Sequence, residues 1–446
     1  MNVVYRLRKT IRNAHPDHHA IAKSMVSIAL FVFLGKLAGA AKEMAVAYRY
    51  GISEAVDAYL LVFNLISWPV GVWFSVLTVV LVPLAARMRQ DRVIEIARFR
   101  AELLAFSLLL GLILALAAGL GLPALLNSSW LGLSNTTRTV ALNITPSMLV
   151  LAPLGVLISL FSAWLLSAGR HVNTLLESVP ALAILIAVLL LSNQGIEALV
   201  WGTVAGLFLH LISLAIPLAW RGEIEKPCFT QHSPQWSVFW QGFGIMLVGQ
   251  ILMSFTTLID QFFAAHLDTG SIATLSYANR ILALILGLGA TAVSRATLPI
   301  FSKIQADDGG KLHKMAMRWA GLLFVMGLVA MLIAWWLAPW GVKLLFERGA
   351  FTAKNTKVVT EVFRYSLVQL PFYFSGLVLV SLLASQRKYR AIASVASINL
   401  FVKIAANFSL VPWLGIKGIV LAVGFMQMIS MLLCWSIIQR IKLKGS

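Results

Sequence analysis

LLSAGRHVNTLL (165–176) and LLASQRKYRAIA (382–393) are one motif written twice. Aligned, they set Arg170 opposite Arg387 between two apolar runs. After a three-residue shift, GIEALV (195–200) meets GIKGIV (415–420). Upstream, VPLAARM (82–88) meets LPIFSKI (298–304), each a proline motif at the end of a long apolar run. The chain is therefore two related halves. Each half starts from the same side, so the repeat is parallel, and paired bundles of this kind enclose a central site and rock around it.

What surrounds these motifs is apolar. Hydrophobic residues make up 59% of the 446 and charged residues 12%, where soluble domains carry about 25% charged. Mean hydropathy is +0.86. Runs of about 20 apolar residues recur from end to end, each long enough for a hydrocarbon core of about 30 Å. About 12 spans follow, at 22–47, 58–86, 98–125, 139–168, 173–192, 196–219, 237–265, 271–302, 314–340, 358–385, 390–411 and 416–438. The expected fold class is an all-α polytopic membrane protein with two pseudo-symmetric six-helix bundles, residues 22–219 and 237–438. A tail at 1–21, a linker at 220–236 and a tail at 439–446 complete it.

The net charge of +19 does not point to nucleic acid, because the cations fall mostly in short loops and tails. Arg6, Arg8, Lys9 and Arg12 precede the first span, and Arg440, Lys442 and Lys444 follow the last. Both termini therefore read as cytoplasmic. RMRQDR (87–92), AGRH (168–171) and QRKYR (386–390) agree; FERGAFTAKNTK (346–357), basic but outside by count, does not. Cys228 and Cys434 suggest neither a disulfide nor a metal site, and HPDHH (15–19) reads as a solvated tail. No cleavable signal peptide is expected.

Charges inside the spans carry the functional question. An arginine at the bilayer centre costs roughly 2.5–3.5 kcal/mol on insertion scales. SYANRILALILGLGATAVSRATLPIFSK (276–303) nonetheless holds Arg280 and Arg295. Arg295 and Lys303 lie where they snorkel to headgroups; Glu177 reads as a boundary residue and Arg364 as a helix-end anchor. Span 1 also holds Lys36, Lys42 and Glu43 and span 8 Asn279 beside Arg280; of these, Lys36, Lys42 and Arg280 are harder to explain by packing. On an ideal helix Lys36 and Glu43 share a face, while Lys42 faces one cavity with Lys36 only if the helix bends at Gly35 or Gly39. Asp260 in span 7 and Asn399 and Lys403 in span 11 complete the set, with Asp57 opening span 2. Cations lining a cavity suit an anionic ligand such as pyrophosphate.

GKLAGAAKEMAVAYRYGISEAVDAYLLVFNL (35–65), IDQFFAAHLDTGSIATLSYANRILALILGLGATAVSRATLPIFSK (259–303) and LLFERGAFTAKNT (344–356) resemble the MviN/MurJ family of lipid flippases. That family sits within the multidrug/oligosaccharidyl-lipid/polysaccharide exporter superfamily. The resemblance implies export of a polyprenyl-pyrophosphate-linked sugar, lipid II in the best-known members. It sets the family's substrate-binding span-1 arginines on Lys36 and Lys42 and its span-2 acid on Asp57. The family's tyrosine-alanine-acid-arginine motif falls on Tyr277–Arg280, with Asn279 in place of the acid. Three departures stand out. Val70 and Gly71 occupy the place of paired arginines. The chain reads as 12 spans where peptidoglycan flippases of this family usually have 14. Some members bind sodium through spans 7 and 11; Asp260 fits, but Lys403 stands where a carboxylate is expected, and a Lys403–Asp260 pair is the expected replacement for the ion.

The expectation is therefore an alternating-access flippase, not an enzyme, in the bacterial cytoplasmic membrane. Lys36, Lys42, Arg280, Asp57 and Asn279 are its expected substrate contacts, and Asp260, Glu43, Asn399 and Lys403 its ion- or charge-coupling residues. The departures point to an exopolysaccharide or O-antigen precursor, with lipid II as the alternative. A glycan polymerase and a drug/cation antiporter are the rivals from other classes. No cofactor or metal is expected; without an ATP-binding motif, a monovalent-cation or proton gradient or the membrane potential is the energy source. The expected partners are the lipid-linked glycan and membrane lipids, with a monomer as the acting unit.

Overall fold

The computed structural model describes residues 16–90, 96–168, 173–191, 193–307, 309–386 and 388–445. Arg170 and Arg387 lie outside the described residues, as do His15 and the side chains of 16–19, Arg295 and Lys303. Among the described residues there is no strand.

The helices follow the apolar runs. In the first half they are α1 (Pro16–Tyr50), α2 (Glu54–Gln90), α3 (Ile96–Asn127), α4 (Asn135–Met148), α5 (Leu151–Ser167), a single turn at Asn173–Leu176, α6 (Val179–Leu190) and α7 (Glu197–Ala219). In the second they are α8 (Gln235–Ala265), α9 (Ser271–Asp307), α10 (Gly309–Phe346), α11 (Ala353–Ser366), α12 (Leu370–Ser385), α13 (Tyr389–Leu414) and α14 (Ile416–Gly445). Among the described residues, eight spans are long and apolar enough to cross a membrane, and α4–α5 taken as one bent span makes nine. The three other expected spans are α1, charged at Lys36, Lys42, Glu43 and Arg49, and the shorter apolar segments Val179–Leu190 and Ser271–Gly287. The molecule is an all-α polytopic membrane protein.

Two compact units divide the chain. Unit 1 comprises Met1–Val46, Trp73–Ala115 and Val150–Gly242; unit 2 comprises Ala47–Val72, Leu116–Leu149 and Phe243–Ser446. The core of unit 1 is aromatic. Phe99 and Phe239 are fully buried, and Phe99 meets Trp164, Trp236 and Phe239 at ring-centroid distances of 6.5, 5.5 and 6.4 Å. The core of unit 2 is aliphatic and small, with Ala316 and Ala320 of α10 against Val378, Leu379 and Leu382 of α12 and Cys434 of α14.

One packing device occurs in both units. Proline has no N–H for the carbonyl four residues back. Pro153 thereby releases Leu149, where α4 and α5 meet at a 51° bend. Pro371 releases Leu367, and the chain passes through a 3-10 turn, Leu367–Gln369, in which the Leu370 N–H takes the Leu367 carbonyl. Against each proline lies a glycine of the neighbouring helix. A Cβ on Gly111 would stand 2.6 Å from Pro153 Cα, and one on Gly327 2.6 Å from Pro371 Cα. Gly111 and Gly327 match in the frame that sets 82–88 against 298–304. The duplication thus survives as a helix crossing that only glycine permits.

Candidate functional site

At one end of unit 2, four turns are tied together by backbone groups. Asp57, 4% exposed, receives the Gly270 N–H on Oδ2 at 2.6 Å and the Ala273 N–H on Oδ1 at 2.7 Å. It thereby caps the start of α9 from α2, supplying an anion where the helix exposes unpaired donors and its positive pole. Tyr277 donates its hydroxyl to the Gly51 carbonyl at 3.1 Å, and the Ala350 N–H bonds the Tyr48 carbonyl at 2.7 Å. Gly349, at φ +58°, is required there, since a Cβ would fall 2.3 Å from the Tyr48 oxygen. Ser134, the N-cap of α4, donates to Glu54 at 2.9 Å. The resemblance carried a substrate contact onto Asp57; the structure places it buried with both oxygens already bonded to backbone.

Beside this end unit 2 encloses a cavity of about 320 Å³. Three helical stripes line it: Leu60, Phe63 and Asn64 of α2; Thr257, Asp260 and Gln261 of α8; and Ile272, Leu275, Ser276, Asn279 and Arg280 of α9. Each stripe follows the three- and four-residue spacing of one helix face. The structure thus brings Asp260, Asn279 and Arg280 to one space, with Asn279 and Arg280 both exposed. Asn64, Thr257, Gln261 and Ser276 were not singled out from the sequence. Thr257 and Ser276 lie one turn from Asp260 and Arg280, and Gln261 directly follows Asp260.

Behind the cavity wall, Lys403 of α13 places Nζ 2.8 Å from Asp260 Oδ2. Lys403 is 2% exposed and Asp260 9%. Among the described residues, the other carboxylate oxygen, Asp260 Oδ1, has no hydrogen-bond partner, nor does Gln261 Oε1. Asn399, one turn before Lys403, donates to Ser430 Oγ at 3.0 Å. The Lys403 ammonium thus holds one carboxylate oxygen where the family resemblance implied a bound cation.

Lys36, Lys42 and Glu43 belong to unit 1. Lys36 is exposed, and Lys42 Nζ lies 2.5 Å from its neighbour Glu43. Unit 1 also holds a buried carboxylate that the sequence reading did not single out. Glu102, 1% exposed, accepts from Thr230 Oγ1 and Trp236 Nε1, each at 2.7 Å, and from the His232 and Ser233 N–H groups at 3.1 and 3.2 Å. Arg89 and Arg100 both reach Glu223. The linker between the halves is thereby fastened to α2 and α3. Arg364 donates to the Trp335 carbonyl at 3.1 Å, which suits an anchor.

The sequence profile described as lipid II flippase MurJ matches residues 46–445. A probable lipid II flippase MurJ of Buchnera aphidicola is 22% identical over 93% of this chain and 83% of its own length. The lipid II flippase MurJ of Burkholderia cenocepacia is 21% identical over 90% and 80%. A probable lipid II flippase MurJ of Helicobacter pylori J99 is 33% identical, but the chain spans only 40% of that protein's length. Among solved structures, lipid II flippase MurJ in an inward closed conformation superposes with a TM-score of 0.80 at 20% identity, covering 92% of this chain and 87% of that one. An inward-facing multidrug resistance MATE transporter gives 0.75 at 15% identity, covering 92% and 96%. These two likenesses establish the fold.

Proposed function

The chain belongs to the MurJ family, and we propose that it is a flippase that carries lipid II, a polyprenyl-pyrophosphate-linked glycan, across the bacterial cytoplasmic membrane. The observation that carries this reading is the family match over 46–445, which takes in Asp57, Asp260 and the Tyr277–Arg280 motif. It favours lipid II over the exopolysaccharide or O-antigen precursor expected from the sequence alone.

In this reading Arg280 offers the pyrophosphate a bidentate donor. Asn279 contributes an amide beside Arg280. Asp57 acts by holding the first turn of α9, from which Arg280 is displayed, rather than by touching substrate. The substrate drives rocking only through a difference in its affinity for the two states, so Arg280 must meet the pyrophosphate better in one state than in the other. Lys403 serves Asp260 as a tethered cation, and export proceeds without sodium.

A second reading, another polyprenyl-pyrophosphate glycan, is favoured by Val70 and Gly71, which stand where the family pattern has paired arginines. Mass spectrometry of lipid-linked precursors after depletion of the protein in its host separates the two. Accumulated lipid II with lysis is the expected result; a different accumulated polyprenyl glycan in viable cells overturns it.

A further inference from the structure

Unit 2 holds a second cavity, of about 390 Å³, within the range of ligand pockets. It is apolar, and its walls include Leu61, Leu258, Phe262, Phe263, Ile404 and Phe408. Among its described lining residues Gln261 is the one with an amide or charged side chain, and Gln261 also lines the cavity of Arg280. The two spaces lie on adjacent faces of the same helices. On α2, Leu60 and Asn64 face the polar cavity, and Leu61 and Leu65 the apolar one. On α8, Thr257 and Asp260 are followed at each step by Leu258 and Gln261. Successive residues of a helix point about 100° apart, so α2 and α8 form one wall with a charged side and an aromatic side. Gln261 sits where the sides meet, 9% exposed and with its side-chain oxygen unpartnered.

That arrangement suits one ligand with a charged head and a single long apolar tail. Resting on the reading of Arg280 as a pyrophosphate contact, we propose that the apolar cavity seats the first isoprene units of the polyprenyl chain, with Gln261 at the throat between head and tail. Hydrophobic transfer does not drive this seating, since the surrounding lipid is as apolar as the cavity. Packing of branched isoprene against rings is the source of preference, and the rings are present: Phe262, Phe263 and Phe408 line one pocket. A straight acyl chain fits the same volume but presents no methyl branches to them. The site selects isoprenoid from ordinary lipid.

The test uses the full chain in phospholipid nanodiscs and two probes of equal carbon number, farnesyl pyrophosphate and pentadecyl pyrophosphate, with inorganic pyrophosphate as the head alone. Farnesyl pyrophosphate is expected to bind about tenfold more tightly than pentadecyl pyrophosphate. Leu258→Trp, which fills the cavity, is expected to bring that ratio near one, whereas Arg280→Gln weakens both probes and leaves the ratio standing. Equal affinities in the unaltered protein, or a ratio that survives Leu258→Trp, overturn the tail site while inorganic pyrophosphate binding keeps the head site. If no pyrophosphate compound binds, both fall. Should Leu258→Trp fail to fold, a diazirine-bearing farnesyl pyrophosphate on the unaltered protein decides. Labels within 255–263 and 404–408 support the site, and labels elsewhere, or equal labelling by a diazirine phosphatidylcholine, overturn it.

Discussion

Glu102 in unit 1 and Asp260 in unit 2 are both buried carboxylates on membrane-length helices, and they are satisfied in opposite ways. Glu102 accepts four hydrogen bonds from the segment 230–236, two of them from backbone. Among the described residues Asp260 has one hydrogen-bond partner, the Lys403 ammonium, and leaves Oδ1 without a bond beside a cavity. A buried acceptor left unmet costs about 1–3 kcal/mol. Glu102 has been given every donor it needs, as expected of a residue that fastens a linker. Asp260 has not, which suits the charge-coupling role expected for it from the sequence.

The sharpest way to break the comparison starts at the cavity that Asp260 shares. Arg280→Ala is expected to abolish export with normal protein levels, read as precursor accumulation in cells whose only copy is the variant. Normal export would remove the pyrophosphate site. Next in size are the partners of the buried pair. Removing one member of such a pair costs about 3–5 kcal/mol, because it strands the other charge, while replacing both with apolar or neutral groups is close to neutral. Lys403→Met and Asp260→Asn should therefore each lower the unfolding temperature sharply, and the double variant should recover most of it. If the pair also couples transport, the recovered double variant remains inactive. Replacing sodium by choline should leave flipping in proteoliposomes unchanged, and a sodium requirement would refute the tethered cation. Glu102→Gln is the counterpart in unit 1. Hydrogen bonds to a charged group are worth about 1.5–3 kcal/mol each. The amide keeps part of this array, so a loss of about 2–3 kcal/mol is expected, with faster proteolysis at 223–233 and little change in pyrophosphate binding.

How much of this could be read in advance depends on which groups do the bonding. The spans were legible because length and apolarity are properties of the side-chain string, and most of the expected edges fall within a few residues of a helix end, as at 98–125 against Ile96–Asn127. The Lys403–Asp260 pair was legible through the family resemblance, which set Lys403 where a carboxylate was expected near Asp260. The occupation of Asp57 was not. Its partners are the backbone N–H groups of Gly270 and Ala273, and no side chain advertises where a backbone donor points. Glu102 escaped for a similar reason, since its donors lie in a polar linker that reads as solvated. The proline breaks were visible as residues, but their meaning needed Gly111 and Gly327 to be seen against them.

The smallest expected effect concerns a pair that resembles Lys403–Asp260 only on paper. Lys417 of α14 and Glu361 of α11 meet at 2.5 Å, shorter than the 2.8 Å of the buried pair, yet their side chains are 32% and 53% exposed. Distance alone ranks this pair first. Solvent reverses the ranking: both ions keep most of their hydration if separated, so an exposed pair is worth only about 0.2–1 kcal/mol and weakens with salt. Lys417→Met should therefore shift the unfolding temperature by no more than a small fraction of the Lys403→Met shift, and raising the salt concentration should shrink the difference further. A Lys417→Met penalty as large as that of Lys403→Met would mean that desolvation is not what separates the two pairs, and the case for Asp260 as a poised carboxylate would lose its physical basis.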